Sequence, residues 1–159
     1  SIGLLQLDTQ WLAVKEAAIP GLIGVVVLIS ARLGYPLIKT LLYNQKVLDT
    51  ERISRILDER GFSKLFEIRL LNATYMLSGT FFFSALMNYL LATWIVSSPA
   101  GSEAFNEELG RLTLVSYPVI VIPSMLMMFA IFYFLWRSIH GLTDLKLEEI
   151  MASAPADSD

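Results

Sequence analysis

Two long stretches of this chain contain no charged side chain. They cover residues 70–102 and residues 112–136. A helix needs about 20 mainly apolar residues to cross the hydrocarbon core of a bilayer. A soluble domain of this size would instead place Lys, Arg or Glu on the wet face of each helix. The two stretches therefore predict transmembrane helices, over residues 71–96 and 112–136.

A third and shorter apolar segment lies nearer the start of the chain. Residues 17–31 are uncharged, and extension to Leu33 gives about 25 Å of helix at about 1.5 Å per residue. Arg32 then lies in the last turn, where its side chain can reach water. An arginine costs about 2.5–3.5 kcal/mol at the centre of a span and less near its end, and the aliphatic residues of the segment offset this cost. We therefore predict a first span over residues 17–33.

Pro20 leaves two alternatives for the residues before this span, because proline removes a backbone donor and kinks a helix. Either residues 9–18 form a short interfacial helix capped by Asp8 and Pro20 opens the span, or one helix kinks at Pro20; we favour the first. Aromatic and basic residues near the span ends are interpreted as interfacial anchors. These residues are Trp11, Lys15, Arg32, Trp94 and Trp136.

The remaining segments are polar or short. Residues 35–69 predict a cytoplasmic connection with an amphipathic helix that begins after Asp49 and ends at Gly61. A brief acidic helix is expected over residues 103–110. The predicted fold class is an all-α integral membrane protein with three transmembrane helices and short amphipathic interfacial helices, as one membrane-embedded domain over residues 1–151. Residues 152–159 are small and acidic, and we expect this tail to be disordered.

The positions of the basic residues predict the orientation. Eight of the twelve Lys and Arg residues lie in the segment from Arg32, at the end of the first span, to Arg69, just before the second. Arg111 is the one basic residue between the second and third spans. Loops rich in Lys and Arg stay in the cytoplasm, so residues 35–69 and the C-terminus are expected inside, with the N-terminus of this chain outside.

Composition argues against most catalytic chemistry. The chain is 55% hydrophobic, with no cysteine and one histidine, His140. Thiol nucleophiles, disulfides and thiolate metal sites are therefore excluded. The sequence shows no nucleophile–base pair, no phosphate-binding glycine loop and no metal-ligand spacing. We expect no enzyme activity, no cofactor, no metal and no nucleic-acid partner.

Two segments carry a resemblance to known proteins. The first is Asp8-Thr-Gln-Trp-Leu-Ala-Val-Lys-Glu16, followed by Pro20, Ser30, Gly34 and Tyr35-Pro-Leu37; the second is Ala104-Phe-Asn-Glu-Glu-Leu-Gly-Arg-Leu-Thr113, which leads to Ser116-Tyr-Pro118. They resemble a group of uncharacterised bacterial inner-membrane proteins, and more remotely intracellular septation protein A. The Lys-Pro pair expected in the latter is replaced here by Lys15-Glu16, with Pro20 further on.

This resemblance implies an inner-membrane protein of about six helices, of which the chain is the C-terminal half. The missing N-terminal helices would then be its partners. The expected position of this N-terminus outside the cell also indicates missing helices. If the native protein begins inside the cell, an odd number of spans lies upstream, and we expect three. The group has no assigned chemistry that could be transferred to these residues.

Polar residues within the predicted spans are the candidate sites. The second span carries Asn72, Thr80, Ser84 and Asn88 on one slowly drifting helical face. They are interpreted either as contacts between helices or as the lining of a substrate path. Pro118 and Pro123 free backbone carbonyl groups of the third span. They are interpreted either as a kink alone or as a broken helix of the kind that coordinates substrates.

Two functions follow from these alternatives. The first is a non-enzymatic inner-membrane protein with a structural or interaction role in the cell envelope. The second is half of a multi-helix transporter, with a polar path between the second span and the proline-kinked third span. In both, the chain contacts the lipid bilayer and other membrane helices, or a second copy of itself in a homo-oligomer.

Overall fold

A computed structural model describes residues 2–152, with side chains from residue 10 onward. Ser1 and residues 153–159 lie outside the described part, and with them nearly all of the tail expected to be disordered. Helices form most of the described chain, and an isolated β-bridge joins Leu48 to Met151. In order, the elements are α1 (Ile2–Arg32), α2 (Leu37–Leu41), α3 (Thr50–Arg60), α4 (Ser63–Ile95), α5 (Glu103–Ser116), a π-helical turn (Tyr117–Val121), α6 (Ile122–Thr143) and α7 (Leu147–Ile150).

Three helical segments are long and apolar enough to cross a membrane. They are Gln10–Arg32, Ser63–Ile95 and Glu103–Thr143. Between 11 and 33% of the residues in their most apolar windows are buried inside the chain. The predicted fold class, an all-α protein with three candidate membrane helices and several shorter ones, is confirmed.

The favoured alternative for Pro20 is wrong. The chain from Ile2 to Arg32 is one helix, with Pro20 in its interior. Asp8 therefore lies within α1 and is not the residue that precedes it. A proline removes one backbone hydrogen bond from a helix. The remaining hydrogen bonds of this 31-residue helix keep it continuous past Pro20.

The third apolar segment also differs from the prediction. The expected acidic helix over residues 103–110 does not end at Gly110, because α5 continues to Ser116 and leads through the π-helical turn into α6. Pro118 lies in that turn and Pro123 is the second residue of α6. Each proline lacks the N–H that a continuous helix would use, and π-helical turns occur inside α-helices where the regular hydrogen bonding is interrupted. The helix therefore continues past both prolines, with a local change from α-helical to π-helical hydrogen bonding.

The predicted amphipathic helix of the polar connection is confirmed as α3. Asp49 accepts a hydrogen bond from the Arg52 amide at 3.2 Å and caps the N-terminus. Gly61 ends the helix with φ of +75°, a conformation that costs glycine little. Ile53 and Leu57 are buried on one face. The capping residues and the apolar face were all visible in the sequence.

The described residues form two compact units. The first contains the chain up to Val26 together with Ser78–Phe129. Its apolar core is made of Ala13 from α1, four residues from the end of α4 to α5, and Ile120 from the π-helical turn. Those four are Leu91, Ala92, Val96 and Leu112.

The second unit contains Val27–Leu77 and the residues from Ala130 onward. The segment before α3 is held to α7 by two backbone hydrogen bonds, from Asp49 N to Ile150 O (2.8 Å) and from Ala152 N to Val47 O (3.1 Å). Arg60 of α3 forms an ion pair with Asp144 at 2.9 Å. Asp144 has φ of +58° and follows α6 directly, so the helix ends there. These contacts join the polar connection to the end of α6.

Candidate functional site

The predicted polar residues of α4 that belong to the first unit are engaged in bonds within the protein. The Asn88 side-chain amide donates to the backbone oxygen of Ser84 at 2.7 Å, within the same helix. The Ser84 hydroxyl lies 3.3 Å from the hydroxyl of Ser124 on α6. Thr80 is 6% exposed. Ser84 and Asn88 thus bond a neighbouring helix and the backbone of α4.

Asn72 is placed differently from the other predicted polar residues. It lies in the part of α4 that belongs to the second unit, and its side chain is exposed. The buried polar residue of that segment is Thr74, whose hydroxyl donates to Leu70 O at 2.9 Å. The Thr74 hydroxyl oxygen in turn accepts a hydrogen bond from the amide of Ile38 at the start of α2, at 3.4 Å. Thr74 was not singled out in the sequence, because its spacing falls off the predicted face.

A second residue missed by the sequence interpretation is Ser78. Its side chain is 2% exposed, and its hydroxyl donates to the backbone oxygen of Gly24 on α1 at 2.9 Å. A Cβ atom added at Gly24 would lie 3.2 Å from the Phe82 ring, and one added at Gly21 would lie 3.6 Å from Ala85 Cβ. Small residues at such positions let membrane helices approach closely. The glycines three residues apart on α1 were the signal that could have predicted this crossing.

The first unit also contains a cavity beside the π-helical turn, lined by both polar and apolar residues. Its volume is about 520 Å³. Its polar lining residues are Glu16 of α1, Asn88 of α4, and Thr113, Ser116 and Tyr117 at or just before the π-helical turn. Glu16 directly follows Lys15, one of the predicted interfacial anchors. The structure brings this carboxylate to the same cavity as Asn88.

The loop between α4 and α5 is organised by one carboxylate. Glu108 accepts hydrogen bonds from the amides of Ser97 and Ser98, at 3.1 and 3.0 Å, and from both serine hydroxyls, at 3.2 and 2.9 Å. Ser102 caps α5 by accepting from the Phe105 amide at 3.1 Å. Glu108 is therefore a structural residue of this loop, which sequence spacing alone did not indicate.

A basic cavity lies in the second unit. Its volume is about 360 Å³, and it is lined by Arg69 of α4 and by Arg137, Ser138 and His140 of α6, with Phe134 and Leu142 as its large apolar residues. The His140 Nδ1 atom lies 2.7 Å from the backbone oxygen of Leu145 and donates to it, since a carbonyl can only accept. The His140 ring also stacks on Trp136, with ring centroids 5.4 Å apart.

The predicted interfacial residues have different surroundings. Trp11 and Trp94 are 62% and 72% exposed, and Lys15 Nζ lies 5.9 Å from the Trp11 ring centroid. Arg32 is exposed at the end of α1. Trp136 is half-buried, and its indole nitrogen is buried without a hydrogen-bond partner among the described residues. Trp136 therefore packs partly inside the second unit, and it also ends the charge-free run of residues 112–136.

Comparison with known proteins gives no family for this chain. No protein-family model, curated protein or solved structure matches it. Among the side chains of residues 10–152, no group of three or more His, Asp and Glu residues is arranged to hold a metal ion.

Proposed function

We propose that this chain is part of a multi-pass bacterial inner-membrane protein with a non-enzymatic, structural or interaction role in the cell envelope. The observation that carries the proposal is the bonding of the small polar residues on α4. Ser78 and Ser84 bond other helices of the first unit, and Asn88 bonds its own backbone. Polar residues that hold helices together in this way contribute about 0.6 kcal/mol each in a bilayer.

The surroundings of this protein follow from its exposed surface and its charge. Large apolar side chains are exposed along the candidate spans, among them Leu22, Val26 and Leu126. Lipid chains, further membrane helices or a second copy of the chain would cover them. The excess of Lys and Arg in residues 35–69 supports a cytoplasmic position for this segment and for the C-terminus. The resemblance to bacterial inner-membrane proteins supports the same location.

A genetic complementation experiment tests the structural role. A bacterial strain that lacks the gene is complemented with the parent protein or with Asn88→Leu, and envelope integrity is measured by resistance to hypo-osmotic shock. We expect Asn88→Leu to restore resistance at normal abundance, because the hydrogen bond that this amide donates stays within its own helix. Failure to restore resistance at normal abundance would show that the Asn88 amide has a role beyond packing, which contradicts the proposal.

The cavity beside the π-helical turn favours a second candidate, half of a membrane transporter. Glu16 and Asn88 line it together, and irregular helix at a substrate site is typical of transporters. A transporter that binds a cation here should lose flux into membrane vesicles with Glu16→Gln while keeping its abundance. A thermal-shift screen of the parent protein against small cations and amines would identify the transported solute. No shift with any solute, together with unchanged envelope integrity for Glu16→Gln, would favour the structural role.

A further inference from the structure

Two arginines mark the same end of two apolar runs. Arg69 immediately precedes the charge-free residues 70–102, and Arg137 immediately follows the charge-free residues 112–136. In the structure both arginines line the basic cavity of the second unit, together with His140. If α4 and α6 cross a bilayer, this cavity lies where the hydrocarbon ends and the lipid phosphate groups begin.

In the part of the chain whose side chains are described, no carboxylate neutralises the positive charge of this cavity. Among the side chains of residues 10–152, Lys39, Arg52 and Arg60 of the same unit pair with carboxylates, at 2.9 to 4.0 Å. Neither Arg69 nor Arg137 forms such a pair in this part of the chain, and no Asp or Glu lines the cavity. Two arginines beside one cavity without a counter-ion leave a site that attracts an anion.

The side chains that line the cavity suit a phosphate group attached to an apolar molecule. The Arg69 guanidinium lies 6.0 Å from the ring centroid of Phe134, a cation–π contact that holds it over the cavity wall. Ser138 adds a hydroxyl group, and Phe134 and Leu142 add apolar surface. An arginine fork binds phosphate oxygens in a bidentate manner, and an apolar wall suits the glycerol and first acyl carbons of a lipid.

We propose that this cavity binds the phosphate group of an anionic phospholipid. Arg69 and Arg137 would contact the phosphate oxygens, and the bound lipid would tie α4 to α6 at this membrane surface. Basic pockets between membrane helices are recurrent sites for anionic head groups. This site is independent of the polar residues on which the proposed function rests.

The experiment uses the full chain purified in a mild detergent. Native mass spectrometry counts the lipids retained by the parent protein after addition of phosphatidylglycerol, phosphatidylcholine or inorganic phosphate in equal amounts. We expect one retained phosphatidylglycerol per chain, and little retention of phosphatidylcholine. Removal of a charge-assisted hydrogen bond should weaken this binding about ten-fold in each of Arg69→Gln and Arg137→Gln.

Two arginines elsewhere serve as matched controls. Arg111 borders the same apolar run as Arg137 at its opposite end, and Arg55 lies on the exposed side of α3. Arg111→Gln and Arg55→Gln remove the same charge and should leave phosphatidylglycerol retention unchanged. Circular dichroism of all four variants monitors folding. The retention by the parent protein is decisive even if a cavity variant does not fold.

Three results would overturn the proposal. Equal retention of phosphatidylglycerol and phosphatidylcholine by the parent protein would show that the charge of the head group is not recognised. An equal loss of binding in the control variants would show a diffuse effect of net charge. Occupancy by inorganic phosphate to the same extent as by the lipid would show that the site takes the free anion instead.

Discussion

The hydroxyl group of Ser78 on α4 donates a hydrogen bond of 2.9 Å to the backbone oxygen of Gly24 on α1. The bond exists because Gly24 has no side chain, so the two helices approach closely enough for a short serine side chain to span the gap. Phe81 and Phe82 flank Gly24, at 3.3 and 3.2 Å from where its Cβ would lie. The close approach of α1 and α4 at this point therefore depends on the absence of a side chain at Gly24.

A side chain at position 24 should destabilise this unit. Gly24→Val would push the new side chain against Phe81 and Phe82, and such overpacking costs about 1–3 kcal/mol. The matched control is Gly79→Ala on α4, since nothing lies within 4 Å of an added Cβ there. Thermal unfolding in detergent should show a lower Tm for Gly24→Val and an unchanged or higher one for Gly79→Ala. Equal Tm values for both variants would contradict the close helix approach.

Loss of the Glu108 carboxylate should loosen the loop between α4 and α5. Glu108→Ala removes the acceptor for the amides and hydroxyls of Ser97 and Ser98. We expect faster hydrogen exchange at these two amides and a lower Tm. The control is the adjacent Glu107→Ala, which removes the same charge from an exposed side chain. If the two variants exchange alike at Ser97 and Ser98, the carboxylate does not hold the loop.

The proposed orientation can be tested with single cysteines, since the chain has none of its own. Glu59→Cys on α3 and Asn106→Cys on α5 both place the thiol at an exposed position. A membrane-impermeant maleimide should label position 106 in intact cells whose outer barrier is open, and position 59 only after the inner membrane is broken. The reverse labelling pattern would contradict the orientation expected from the basic residues.

Membrane insertion of the first span should depend on where an arginine lies. Val26→Arg places a charge within the apolar part of α1 and should reduce insertion, at a cost of about 2.5–3.5 kcal/mol near the span centre. Arg32→Leu removes a charge from the last turn and should insert at least as well as the parent. A glycosylation-mapping assay in microsomes measures both. Equal insertion of the parent and both variants would show that residues 17–33 do not cross the membrane.

Features that depend on composition or on neighbouring residues were readable in the sequence. The two charge-free runs predicted α4 and the long helix through α6, because a run longer than the bilayer requires leaves little choice of environment. Asp49 and Gly61 predicted the ends of α3, because caps act within one turn. The expectation that Pro20 would separate two helices also rested on neighbouring residues. It was wrong, because the hydrogen bonds on either side of Pro20 keep α1 continuous.

Contacts between distant residues were decided only by the tertiary structure. Periodicity placed Asn88 on a polar face, but whether its amide meets its own helix or a substrate depends on what packs beside it. Ser78 reaches Gly24 across 54 positions of sequence, and Arg69 and Arg137 reach one cavity from two helices. Helical period determines which residues share a face, whereas helix crossing determines which faces meet. The first is a property of each segment, and the second requires the packed chain.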